Sequence, residues 1–182
     1  MWALVKNQNV EKTYSKPIST TINSIHYPKE MFTLYNVAEQ KAIGIYSVTL
    51  KSRPDSELYN IGSSSYTYNA GTDTVNENFT STERNLADLK TEWVKMVRTQ
   101  SMNKIIHYDW LVTRYVFDNS KTIPNSVKTY LTAVRNHSDT ICTAINNCSD
   151  FNAFTVVYAK IGRGGEYYNA WPDDSAVKSY ER

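Results

Sequence analysis

Hydrophobic positions along this chain change their spacing near residue 81. Before it, apolar and polar residues alternate in short runs, the period of half-buried strands. Trp2–Val5 and Val10–Tyr14, joined by Lys6-Asn7-Gln8-Asn9, predict a hairpin, because Asn tolerates the left-handed backbone of a tight turn. Lys16-Pro17 ends it, and the Ser/Thr-rich residues 18–26 read as a loop or an edge strand. Tyr27 to Tyr35 is a compact aromatic segment. Asn36 with Glu39 three residues on has capping-box spacing and predicts a short helix, Val37 to Ile43. Gly44 is placed to end it in the left-handed conformation. Ile45–Leu50 reads as a strand. Ser65–Tyr68 and Thr74–Phe79, around Asn69-Ala70-Gly71-Thr72-Asp73, read as a second hairpin.

After it the period becomes helical. Leu86, Leu89, Trp93, Met96 and Val97 share one face, with Asn85 as N-cap and Asp88 in the first turn. That pattern fades near Ser101-Met102-Asn103, and Leu111–Phe117 reads as a short extended piece. Pro124 suits the start of a second helix. There Val127, Tyr130, Leu131, Val134, Ser138, Ile141 and Ile145 form the cleanest stripe in the chain, which Asn146-Asn147 can end. Two stripes of similar length predict an antiparallel hairpin, with Leu86, Leu89, Trp93 and Val97 packed on Val127, Leu131, Val134 and Ile141. Asp109-Trp110 falls at its tip. The expected brace is Asp109 capping the turn, Trp110 plugging the base, Pro124 starting the second helix, and Arg114 or Arg135 pairing with Asp109 or Asp139. Beyond Asp150 the expectation is an irregular aromatic tail. In it Phe151–Tyr158 is a helical turn or a strand, Val156-Val157-Tyr158 leaning to strand, and Gly162-Arg163-Gly164-Gly165 is a flexible loop.

The predicted fold is therefore α+β: a small N-terminal β-rich docking module with one short helix (1–80), a helical hairpin (81–149) and a tail (150–182). Burying a large apolar side chain is worth roughly 1.5–3 kcal/mol before entropy. A lone helical hairpin is marginal at that level, so it should pack on the β-module, on a partner or on copies of itself.

Composition adds a polar, aromatic surface, with 14 tyrosines in 182 residues. Tyrosine suits surfaces that are half apolar and half wet, which protein contacts need. A formal charge of +2 offers no electrostatic case for nucleic acid or an anionic membrane. No run approaches the ~20 apolar residues of a membrane span, and the apolar start is too short for a signal peptide. Candidate interface residues are Trp2 (equally a core residue), Tyr66 and Tyr68 (equally cross-strand pairs), Tyr167, Tyr168 and Trp171.

Candidate chemistry is thin. Gly162-x-Gly164-Gly165 lacks the strand–loop–helix setting and the Gly-Lys-Ser/Thr ending of a phosphate loop. His107 beside Asp109 has the residue types of a base and its orienting acid, but neighbours in sequence seldom face each other and no nucleophile stands nearby. No carboxylate pair has a spacing that calls for acid–base work. With three scattered histidines and no Cys-x-x-Cys, neither a zinc site nor any other cofactor is expected. Cys142 and Cys148 are read as free thiols, with a disulfide geometrically open to them.

Three stretches together resemble small tail-associated proteins of tailed, marine-type bacteriophages. They are Met1-Trp2-Ala3-Leu4-Val5 with Val10-Glu11-Lys12; Tyr27-Pro28 through Leu34-Tyr35 and on to Val48; and Asp109-Trp110-Leu111-Val112-Thr113-Arg114 with Ile123-Pro124, Tyr130 and Ala133-Val134-Arg135. The last is similar to the Asp-Trp…Ile-Pro…Arg helical hairpin of the tail-fibre assembly protein family, departing from it at His107-Tyr108 and Leu111. The resemblance implies no catalysis. It implies a virion structural protein of the tail, fibre- or baseplate-associated and assembled in the host cytoplasm. Its partners would be other tail proteins and copies of itself. A non-virion tail-fibre assembly chaperone is the alternative, and a carbohydrate-binding tail accessory a further one.

Overall fold

A computed structural model describes residues 1–162 and 164–181. The chain divides into two compact units, Met1–Thr82 and Glu83–Arg182.

The first unit is built on a mixed five-stranded sheet, not a simple β-module. Strands β1 (Trp2–Lys6) and β2 (Asn9–Tyr14) form a hairpin whose turn residues Asn7 and Gln8 both have positive φ, 48° and 64°. The Ser/Thr-rich stretch is a second small hairpin, β3 (Thr20–Ile22) and β4 (Ile25–Tyr27), turning through left-handed Asn23 and Ser24. Helices α1 (Met31–Leu34) and α2 (Val37–Ala42) follow. At α2 the Asn36 side chain accepts the Glu39 amide, and the Glu39 carboxylate accepts the Asn36 amide. Gly44 turns the chain at φ 82°, and a Cβ there would stand 2.8 Å from the Val5 carbonyl. Strand β5 (Ile45–Thr49) then pairs antiparallel with β1.

After β6 (Tyr59–Ile61), which pairs with β9 (Ser81–Glu83), comes the hairpin β7 (Ser65–Asn69) and β8 (Thr74–Asn78). Strand β8 joins β5 in parallel, at Val48↔Val75 and Thr49↔Asn76. The order is β2-β1-β5-β8-β7, and the edge strands β2 and β7 approach each other, so the sheet nearly closes into a barrel. Tyr14, Ile22, Met31, Phe32 and Ile45 form its buried cluster, with Trp2 and Leu4 packed on it.

Polar clips tie the connections to this sheet. Gln40, buried in α2, donates its amide to the carbonyls of Met31, Phe32 and Tyr35, which α1 leaves without helical partners. Glu77 on β8 is buried and accepts from Arg53 at 2.7 Å, from the Ser64 hydroxyl and from the Lys51 amide. The Ser64 bond leads in holding its carboxyl below the ordinary value against the cost of burial, with Arg53 helping.

The second unit is helical almost throughout. Helix α3 (Leu86–Ile105) is capped by the Asn85 side chain, which accepts from Ala87 and Asp88. A 3-10 turn over Ile106–Tyr108 leads into α4 (Asp109–Phe117). The extended piece expected there is a helix: Leu111 is buried and the tryptophan beside it half-buried, and that packing overrides the β-prone Val112, Tyr115 and Val116. Helix α5 (Asn125–Asn146) follows Pro124, which sits one residue ahead of it with φ −55° and ψ 139°. It packs on α3.

The expected irregular tail is corrected as well. Asp150 caps α6 (Phe151–Ile161) by accepting the Ala153 amide, and Phe151, Phe154 and Ile161 are buried on one face, with Tyr158 half-buried between them. That stripe outweighs the strand preference of Val156-Val157-Tyr158. Gly162 caps α6, and α7 (Glu166–Asn169) and a 3-10 turn over Lys178–Tyr180 follow. Of the expected glycine loop, Arg163 lies outside the described residues. The fold is thus a mixed, nearly closed sheet and a helical region, in place of a β-module, a hairpin and an irregular tail.

Candidate functional surfaces

The Asp109-Trp110 stretch opens α4 rather than closing a hairpin. Trp110 packs, half-buried, on the apolar cluster that Ile105 of α3 shares with Val127 and Tyr130 of α5. Its indole N–H donates to the Tyr180 carbonyl at 2.9 Å, and the neighbouring Tyr108 hydroxyl donates to Glu181 at 3.3 Å. Burial, with the Glu181 carboxylate beside it, pushes the Tyr108 phenol up to about 12. Val177, 1% exposed, joins Ile105, Tyr108, Leu111, Val127 and Tyr130 in one apolar cluster. The end of the chain is therefore anchored on this stretch. A contact across seventy residues leaves no mark in local spacing.

Asp109, Arg114, Arg135 and Asp139 are all exposed, and among the described residues none of them forms an ion pair. Exposed as they are, such pairs would add little to stability. Of the packing residues, Leu89, Trp93 and Val97 on α3 and Val127, Leu131, Val134 and Ile141 on α5 are buried, while Leu86 is half-buried. Trp93 stands edge-on to Tyr158 of α6, ring centroids 4.9 Å apart, so part of the α3 stripe faces α6. Its indole N–H is buried and has no hydrogen-bond partner among the described residues. Lys90 donates to the carbonyls of Asn146 and Cys148, filling the end of α5 where Asn146-Asn147 stop it. Cys142 and Cys148 are buried free thiols, Cys148 donating to the Ala144 carbonyl.

The candidate interface residues are scattered. Trp2 lies against Phe32, ring centroids 5.0 Å apart, on the first unit's cluster. Tyr66 is half-buried on β7 opposite Glu77. Tyr68 stands edge-on to Tyr46 and donates its hydroxyl to Asp73. Trp171 packs edge-on to His137, and the Tyr167 carbonyl meets His137 Nε2 at 2.9 Å. Tyr168 is exposed.

The surface that sequence patterning missed is the outer side of α4. Val112, Tyr115, Val116 and Phe117 are all exposed, Val116 by 71% and Phe117 by 87%, and Ile106 just before them is exposed too. Reading this segment as extended hid the fact that a helix would bring these side chains out together. His107 and Asp109 are also exposed, with no hydrogen bond between them among the described residues. No group of three or more His, Cys, Asp or Glu side chains among the described residues could hold a metal ion. No helix among them is long and apolar enough to cross a membrane.

No family model, curated protein or solved structure matches the chain.

Proposed function

We propose that this chain is a structural component that works by binding other protein chains, with the outer side of α4 as a contact surface. The observation that carries the reading is the run of exposed apolar side chains from Val112 to Phe117 on one short helix. Water-exposed aliphatic and aromatic groups clustered this way mark protein contact sites. The setting proposed is the tail of a bacteriophage, which rests on the sequence resemblance at Asp109–Arg114, Ile123-Pro124 and Arg135.

Quantitative mass spectrometry of purified virions tests the setting. A fixed, stoichiometric copy number supports a tail structural protein; presence in infected cells with absence from virions overturns it in favour of an assembly chaperone. Val116→Ser with Phe117→Ser tests the surface. The double variant should fold normally and lose its place in the particle. Incorporation at the wild-type level would remove α4 from the reading.

A further inference from the structure

A cavity of about 430 Å³ opens in the first unit, where the tips of its connections converge. The β1–β2 turn at Asn7-Gln8, the β3–β4 turn at Asn23 and the α2–β5 turn at Gly44 all line it, and each has left-handed backbone. Such mouths of small sheets and barrels are where loop-borne side chains form ligand sites. The side-chain amides of Asn7, Gln8 and Asn23 have no hydrogen-bond partner in the protein among the described residues. Each offers both a donor and an acceptor.

The charges around the cavity cancel. The Lys41 ammonium is held 2.5 Å from Asp73, which also accepts from the Tyr68 hydroxyl. Lys6 and Glu11, the other ionised lining residues, carry opposite signs. No excess charge favours a phosphate or a carboxylate ligand. Tyr46 and Tyr68 add two ring surfaces, their centroids 5.1 Å apart. The Lys41 ammonium lies over the Tyr46 ring at 5.6 Å, so Tyr68 is the ring less encumbered by charge.

We infer that this cavity binds a neutral sugar, in which adjacent hydroxyls meet the amides of Asn7, Gln8 and Asn23 and a C–H face lies against a tyrosine ring. A hydroxyl is donor and acceptor at once, as a side-chain amide is, so a polyol can take the place of water on these three exposed amides without bringing charge. The volume, at the lower end of the range for ligand pockets, suits a mono- or disaccharide. The inference stands apart from the α4 contact surface and from the phage setting.

The test is an NMR titration of the whole, isotope-labelled chain with glucose, galactose, mannose, N-acetylglucosamine and rhamnose, each alone at millimolar concentration. One of them should give saturable shifts at the backbone amides of Asn7, Gln8, Asn23 and Gly44. The Asn7→Gly, Asn23→Gly double variant removes two amides where glycine accepts the positive φ. It should weaken binding by about tenfold or more, as expected for two lost hydrogen bonds. No saturable shift with any sugar overturns the inference. So do shifts that the double variant leaves unchanged, and so does a response to a blocked peptide in place of the sugars.

Discussion

The two units hold their shape by different means. In the first, short strands and helices are fixed to one another by polar clips: Gln40 on three carbonyls, Glu77 on Arg53, Ser64 and Lys51, and Lys41 on Asp73. In the second, long stripes do the equivalent work, with Leu89, Val97, Val134, Ile141, Ile145 and Phe154 all fully or almost fully buried. A clip is directional and fails when one group is removed. A stripe is spread over many contacts and fails in proportion to the volume lost.

The sharpest way to test that contrast is at Phe154, which is 0% exposed. Phe154→Ala should cost about 3–5 kcal/mol and lower the thermal midpoint of the helical unit, read by far-ultraviolet circular dichroism. A loss under about 1 kcal/mol would mean that α6 adds little to the stripe. Gln40→Ala comes next, at about 1–3 kcal/mol, because it leaves buried carbonyls with no donor. Its effect should appear as faster hydrogen exchange in α1 and α2 while α3 and α5 keep their protection. Equal acceleration in both units would break the comparison.

Acid should separate the units more gently. Glu77 and Asp73 are both held below their ordinary values, Asp73 chiefly by Lys41. Their contribution is fully present above the ordinary carboxylate value and is lost as pH falls through the depressed folded one. In the second unit Asp150 is lowered too, by the Ala153 amide, but it closes only one helical turn. Peaks of β7 and β8 in an NMR pH series should therefore shift and broaden before those of α5. Simultaneous loss in both units would argue against the clips. The smallest effect belongs to Arg114→Ala, expected within about 0.5 kcal/mol because its exposed side chain has no ionic partner among the described residues. A drop of several degrees in melting temperature would restore the brace.

The same contrast explains what could be read from the residues. Asn36 with Glu39, Gly44, and the α3 and α5 stripes are local patterns, and their spacing carries the structural instruction. Trp110 and the β5–β8 pairing act between segments far apart, and nothing beside them in sequence names the partner; the partners of Gln40 are close in sequence, but they are backbone carbonyls that no residue type marks. The α6 stripe of Phe151, Phe154, Tyr158 and Ile161 was visible in principle. Val156-Val157 obscured it, since β-branched residues favour a strand until a buried face decides otherwise. The exposed side of α4 was hidden for the same reason. The Asn7 turn was legible as a turn, while the Asn23 turn lay inside residues 18–26, read as a loop or an edge strand, and their meeting around one cavity was not legible at all.

One further consequence concerns load. Among the described residues the sheet's two halves, β2-β1-β5 and β8-β7, pair in parallel at Val48↔Val75 and Thr49↔Asn76. Pulled apart, a sheet tears along its shortest seam, and this one is crossed by the Lys41–Asp73 ion pair from α2 to the β7–β8 turn. Salt should loosen this half-exposed pair first, while the buried Glu77 of β8, gripping Arg53 and the Lys51 amide beyond β5, still holds the two halves together.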